Sequence, residues 1–180
     1  ALLYNCPRTA TIVANGQVGA WGCDGRAFRM AWSIGAQQRF SENRRFMESI
    51  KLFDGLSGFQ KDSLSEVCVS VSFAAGEIVI VEGERGRCMY VVKKGQLRVF
   101  TGSDVSSDGQ LSGGQVVQQL NMGECFGERA FLYDEPRAAT VLAISQCELL
   151  SIGYEHLNEV LGENFPAVLQ RNVLLTGLKN

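Results

Sequence analysis

A single histidine, three prolines and two tryptophans stand among 180 residues, and no apolar run approaches the roughly 20 residues that cross a bilayer. His156 alone builds neither a histidine metal cluster nor a conventional catalytic triad, so no metal and no catalytic group is expected. Six cysteines (Cys6, Cys23, Cys68, Cys88, Cys125, Cys147) include no CxxC pair, which argues against a zinc site or redox dithiol and for reduced, mostly buried thiols. Lysine and arginine number 17 against 19 acidic residues, so there is no positive excess for a nucleic-acid backbone. The opening Ala-Leu-Leu-Tyr-Asn-Cys has no basic n-region and no methionine, the expectation for a cytoplasmic fragment of a longer chain. That parent could be membrane-associated through other parts.

What is present is a globular composition, 46% hydrophobic and 20% charged, and an internal repeat. ALLYNCPRTATIVA at residues 1–14 matches AFLYDEPRAATVLA at 130–143 in eight of fourteen positions, at an offset of 129. One repeat spacing is one domain length, so tandem domains are expected, the first represented only by its tail.

From Arg26 to Ile50 the apolar residues Phe28, Ala31, Trp32, Phe40, Phe46 and Met47 recur at helical spacing between alternating charges, as in helices connecting two domains. Trp21 and Trp32 suit a domain interface better than the cap of a ligand base. A short helix is predicted over Gln60–Val69. Beyond Val71 the period falls to two through Ile78–Val81, Cys88–Val92, Gln96–Phe100, Val116–Leu120 and Ala139–Ala143, with glycine turns between. The glycine- and serine-rich run Gly102–Gly114 reads as a flexible loop. Helical spacing returns over Gly153–Leu178, its C-terminal part Phe165–Leu178 being the expected moving part, with an apolar face able to dock over a pocket in the barrel. The expected class is therefore α+β: an antiparallel, jelly-roll-like β-barrel over about 70–152, flanked by helices, the last at about 153–178. The complete domain spans 36–180, and 1–35 is the tail and linker helix of its predecessor.

FGERAFLYDEPRAAT interrupts the strands with a glutamate, small residues and an arginine. A helical turn over Glu128–Leu132 offers free amides to an anion, and Gly127 lets the backbone approach it. Arg137 supplies a permanent forked cation for a phosphate oxygen pair, and Ala138 and Ala139 leave room. Phosphate repels a neighbouring carboxylate unless that carboxylate accepts from hydroxyls elsewhere on the ligand, so Glu128 suits a ribose 2′-hydroxyl. The alternative is that Glu128 and Arg137 pair with each other or cap the turn. Gly83-Glu-Arg-Gly86 lacks the Lys-Ser/Thr of a phosphate loop and reads as a strand turn. Asp134 and Glu135 read as exposed loop acids.

The segment closely resembles the phosphate-binding cassette of cyclic-nucleotide-binding domains, FGE-x-A-L followed by PR-x-A-T, and the resemblance covers residues 50–172. The tandem copies resemble regulatory regions of cyclic-nucleotide-dependent kinases, and NRRFMESIKLFDGLS resembles the apicomplexan cGMP-dependent kinases in particular. The resemblance implies that Glu128 binds the ribose, that amides near Gly127, Arg129 and Ala130 bind the phosphate, and that Arg137 binds an exocyclic oxygen. Val99 and Thr101 wall the base. It also implies a cyclic nucleotide as ligand, with no other cofactor, and as partners a kinase catalytic domain and neighbouring copies in the same polypeptide. Ala138 stands where the family's cGMP-preferring members often carry Thr or Ser, which leaves cGMP, favoured by resemblance, against cAMP. Three other readings are weighed beside this one. A degenerate repeat would scaffold its neighbours without ligand, a transcription regulator would need a following DNA-binding motif, and a phosphate-processing enzyme would need a base or metal set.

Overall fold

Eight strands form two four-stranded antiparallel sheets in a computed structural model that describes residues 6–162 and residue 170. In chain order the strands are β1 (Val69–Phe73), β2 (Ile78–Ile80), β3 (Cys88–Lys94), β4 (Leu97–Val105), β5 (Leu111–Leu120), β6 (Cys125–Phe126), β7 (Thr140–Ala143) and β8 (Cys147–Gly153). One sheet runs β1-β8-β3-β6 and the other β2-β7-β4-β5. The α+β, jelly-roll-like architecture expected from the sequence is present, as two sheets facing one another rather than one continuously bonded barrel.

Strand side chains alternate between faces, and here the alternation sorts residues into two cores. Val92, Leu149 and Cys147 point between the sheets, where they meet Leu97, Val99, Leu120, Val141 and Ala143. Their chain neighbours Val91 and Leu150, with Met89 and Ile152, point to the opposite face and meet Met47, Ile50, Phe53, Leu64 and Leu157 from the helices. Strands β8, β3 and β6 of this sheet are thus buried on both faces, while β1 at its edge is largely exposed.

The helices are α1 (Gly25–Met47), α2 (Gly58–Val67), a single turn α3 (Arg129–Leu132) and α4 (Tyr154–Leu161). A 3-10 turn at Lys51–Phe53 links the first two. The chain divides into two units, residues 1–42 and residues from Asn43 onward. In the first, residues 6–24 carry no helix or strand, and Ile12, Val13, Val18 and Trp21 are exposed. Asp24 starts α1 by accepting from the amides of Arg26 (2.9 Å) and Ala27 (3.1 Å). In the second unit, Ser57 and Gln60 form a reciprocal capping box that starts α2 two residues earlier than expected. Buried Lys61 pairs with Glu48 at 2.6 Å, and Arg44 with Asp62 at 2.5 Å, which ties the end of α1 to α2. Part of the predicted Gly153–Leu178 helix is α4. The apolar C-terminal part beyond Gly162 lies outside the described residues, apart from Gln170.

The predicted loop Gly102–Gly114 is a correction. It forms the outer half of the β4–β5 hairpin, paired as far as Val105↔Leu111 and closed by a turn in which the Ser106 amide donates to the Gln110 carbonyl at 3.0 Å. Its polar composition reflects exposure of β5, not lack of pairing. All six cysteines are free thiols; Cys68, Cys125 and Cys147 are buried, Cys88 is half-buried, and Cys6 and Cys23 are exposed.

Gly95 lies between β3 and β4 at φ +92°, and a Cβ there would stand 2.5 Å from the Gln146 carbonyl oxygen and 2.6 Å from Cys147 Sγ. Gly95→Ala is therefore expected to destabilise the domain by about 2 kcal/mol or more, through left-handed strain and the backbone clash. A lower denaturant midpoint at unchanged slope checks this.

Candidate functional site

The segment joining β6 to β7 leaves the sheet at Gly127, whose φ of +88° turns the chain into α3. Glu128 has helical dihedrals at the head of this turn, and the first internal bonds run from the Leu132 amide to the Glu128 carbonyl and from Tyr133 to Arg129. The amides of Arg129 and Ala130 precede those bonds and have no partner within the turn.

Arg137 is 6% exposed, with no carboxylate in ion-pair distance among the described residues. Its backbone is clamped to the β2–β3 turn, the amide donating to the Glu84 carbonyl and the carbonyl accepting from Gly83, both at 2.8 Å. Its guanidinium donates from Nη1 to the Gly127 carbonyl (2.7 Å) and the Tyr154 hydroxyl (3.1 Å), and from Nη2 to the Cys88 carbonyl (2.6 Å). Two glycines make room for it: a Cβ on Gly86 would stand 2.1 Å from Nε, and one on Gly127 2.5 Å from Nη1. Thr140, fully buried, accepts from the Glu82 amide at 3.0 Å and so fixes the start of that same turn.

Glu128 is 2% exposed, and its Oε2 has no hydrogen-bond partner. Burial pushes its carboxyl above the ordinary glutamate value, opposed by its own backbone amide and by the charges of Arg129 and Arg137. The two ions sense each other without pairing, so the alternative in which they merely satisfy one another does not describe this geometry. A carboxylate buried with an idle oxygen is an acceptor waiting for hydroxyl donors.

Both side chains line one open recess, with about 520 Å³ of atom-free space when the solvent at its mouth is included. Gly127, Arg129, Ala130, Ala138, Ala139 and Val99 line it too, so eight of the nine residues singled out from the sequence converge there. Thr101, further along β4 and paired with Gln115, does not line it. Sequence reasoning missed Ile80, Gln118, Leu120, Phe126 and Val141 on the walls, for which ordinary strand patterning carried no distinguishing signal. It also missed Gly86 and Tyr154, which act on Arg137 from distant positions. Asp134 and Glu135 are exposed, as expected. Among the described residues no group of three or more His, Cys, Asp or Glu side chains is placed to hold a metal ion, and no helix is long and apolar enough to cross a membrane.

Comparison with known proteins places this geometry. The cyclic nucleotide-binding domain profile matches residues 70–164. The chain is 37% identical over 180 residues to the cGMP-dependent protein kinase of Toxoplasma gondii, covering 99% of this chain and 17% of that protein. It is 32% identical to the cAMP-dependent protein kinase regulatory subunit of Hypocrea atroviridis, over 90% of this chain and 33% of that one. It thus spans a third or less of the length of these two relatives. Among solved structures, the regulatory domain of Toxoplasma gondii PKA with cAMP superimposes with a TM-score of 0.73 at 22% identity, over 84% of this chain and 56% of that one, which shows the fold.

The raised carboxyl has a consequence for stability. Below the ordinary glutamate pKa, Glu128 is protonated whether the chain is folded or not; as pH rises through the raised value the unfolded chain ionises first and stability is lost. Glu128→Gln is expected to stabilise the ligand-free domain at pH 7 by about 1 kcal/mol, or roughly 2–4 °C in Tm. Thermal unfolding of both forms at pH 4 and pH 7 checks this, the advantage shrinking at the acid end.

Proposed function

The chain belongs to the cyclic nucleotide-binding domain family, and on that premise we propose that its recess takes a cyclic nucleotide and that occupancy relieves inhibition of a kinase catalytic domain elsewhere in the same polypeptide. One observation carries the reading. A cation and an anion, both almost fully buried, line one recess without pairing, and the anion keeps an idle oxygen. A ligand with a negative charge at one end and hydroxyls at the other satisfies both, and a ribose cyclic phosphate is such a ligand.

In this reading Glu128 accepts from the ribose 2′-hydroxyl. The amides of Gly127, Arg129 and Ala130 meet the phosphate together with Arg137. Val99 walls the base from β4, and Thr101 reaches it only from further along the strand. Similarity to the Toxoplasma gondii enzyme favours cGMP, whereas Ala138, exposed at the mouth, offers no hydroxyl to a guanine amino group. The match is to the binding domain, so the kinase activity belongs to parts of the parent outside this chain. Residues up to about 35 are the tail of a preceding copy, supported by the repeat at an offset of 129.

Arg137→Ala is expected to weaken nucleotide binding by roughly 2–5 kcal/mol, the range for truncating one partner of a buried charged contact, while the sheets stay folded. Calorimetry with cGMP and with cAMP measures it. Equal affinity in both proteins would exclude the assignment, and no binding by the wild type would return the chain to the scaffolding reading. Ala138→Thr is expected to shift the affinity ratio toward cGMP in competition titrations.

A further inference from the structure

The setting of Arg137 is completed from outside the 126–140 segment. Tyr154, the first residue of α4 and 7% exposed, aims its hydroxyl at two groups of the site. That hydroxyl accepts from Arg137 Nη1 at 3.1 Å and donates to the Gly127 carbonyl, which itself accepts Nη1 at 2.7 Å. Arginine, hydroxyl and carbonyl close a ring of three hydrogen bonds. Burial raises the Tyr154 phenol to about 12, against the opposing pull of Arg137, so the proton that bonds Gly127 stays in place at neutral pH.

The arrangement sorts the donors of the guanidinium, which has five N–H groups in one plane. Nη1 donates to Gly127 and Tyr154, two oxygens bonded to each other on one side of that nitrogen, and Nη2 donates to Cys88. The Nε–H takes part in none of these bonds. Gly86 crosses the same part of the group so closely that a Cβ would stand 2.1 Å from Nε and 2.2 Å from Cζ and Nη2, which leaves the plane no room to tilt toward it.

We propose that Tyr154 is a positioning residue of the phosphate site: by engaging Nη1 together with the Gly127 carbonyl, it fixes the rotation of Arg137 beside the recess. The inference rests on the nucleotide reading given above and adds a residue to it from another element. Its benefit is preorganisation, because a fork fixed beforehand loses less freedom on binding.

Tyr154→Phe keeps the ring and removes only the hydroxyl. The variant is expected to bind cyclic nucleotide about 10- to 150-fold more weakly by calorimetry, the scale of one hydrogen bond to a charged group. In an Arg137→Ala background the same change is expected to leave affinity as it was, since the residue acts through the arginine. Nitrogen-15 NMR of the ligand-free protein supplies a readout that a packing role would not move. The two Nη nitrogens of Arg137 are expected to be separate in the wild type and averaged in Tyr154→Phe, with the remaining amide spectrum unchanged. If the wild type binds neither cGMP nor cAMP, the nucleotide reading fails and the inference with it. If the wild type binds and Tyr154→Phe binds as tightly or more tightly, or the Nη signals are alike in both, the inference fails alone.

Discussion

A guanidinium buried without a carboxylate partner is the constraint around which this domain is arranged. Removing a cation from water costs several kcal/mol even after relaxation, and an ion left unsatisfied would not be tolerated. Arg137 is satisfied by two backbone carbonyls and a phenol, and its own amide and carbonyl are tied to the β2–β3 turn. Neutral oxygens solvate the charge without cancelling it. The recess therefore keeps a positive potential that an internal carboxylate would have quenched, and Glu128, close enough to sense it, stays unpaired.

Behind this arrangement stands the β3–β8 pair, buried on both faces. In the β3–β8 ladder Cys88 stands opposite Gly153, and the amide of the next residue, Tyr154, donates to the Arg87 carbonyl at 3.0 Å. One end of one ladder thus delivers both the Cys88 carbonyl and the Tyr154 hydroxyl to the same guanidinium. The first turn of α4 is consequently joined to Arg137 and Gly127 by hydrogen bonds and not by packing alone. A ligand that draws on Arg137 or Gly127 acts on a group that α4 also holds, which gives the fold a physical route from occupancy to helix position.

How much of this was legible in the sequence depends on whether the signal was contiguous. Glu128, Arg137 and the small residues between them lie in one fifteen-residue stretch, and eight of nine candidates met in one recess because a single turn and strand carry most of them. The strand β8 was missed because Cys147, Leu149, Leu150 and Ile152 are all buried, two faces being covered, so the period of two that marks a half-exposed strand is absent. β5 was truncated for the opposite reason, since most of it is exposed and its polar glycine-rich sequence resembles a loop. Tyr154 and Gly86 gave no local signal, because their partner is 17 and 51 residues away in the chain and only the ladder brings them together.

The contact between Gly86 and Arg137 makes change at the site easier in one direction than in the other. While the arginine holds its present position, position 86 admits nothing larger than hydrogen. Once a descendant lost the arginine, the vacated space would accept a methyl group or more at that position, at little expense to folding. The added side chain would then bar the guanidinium's return until it was itself removed. Degeneration of such a site is a ratchet, and an alanine or serine found at the place of Gly86 would record that it had turned.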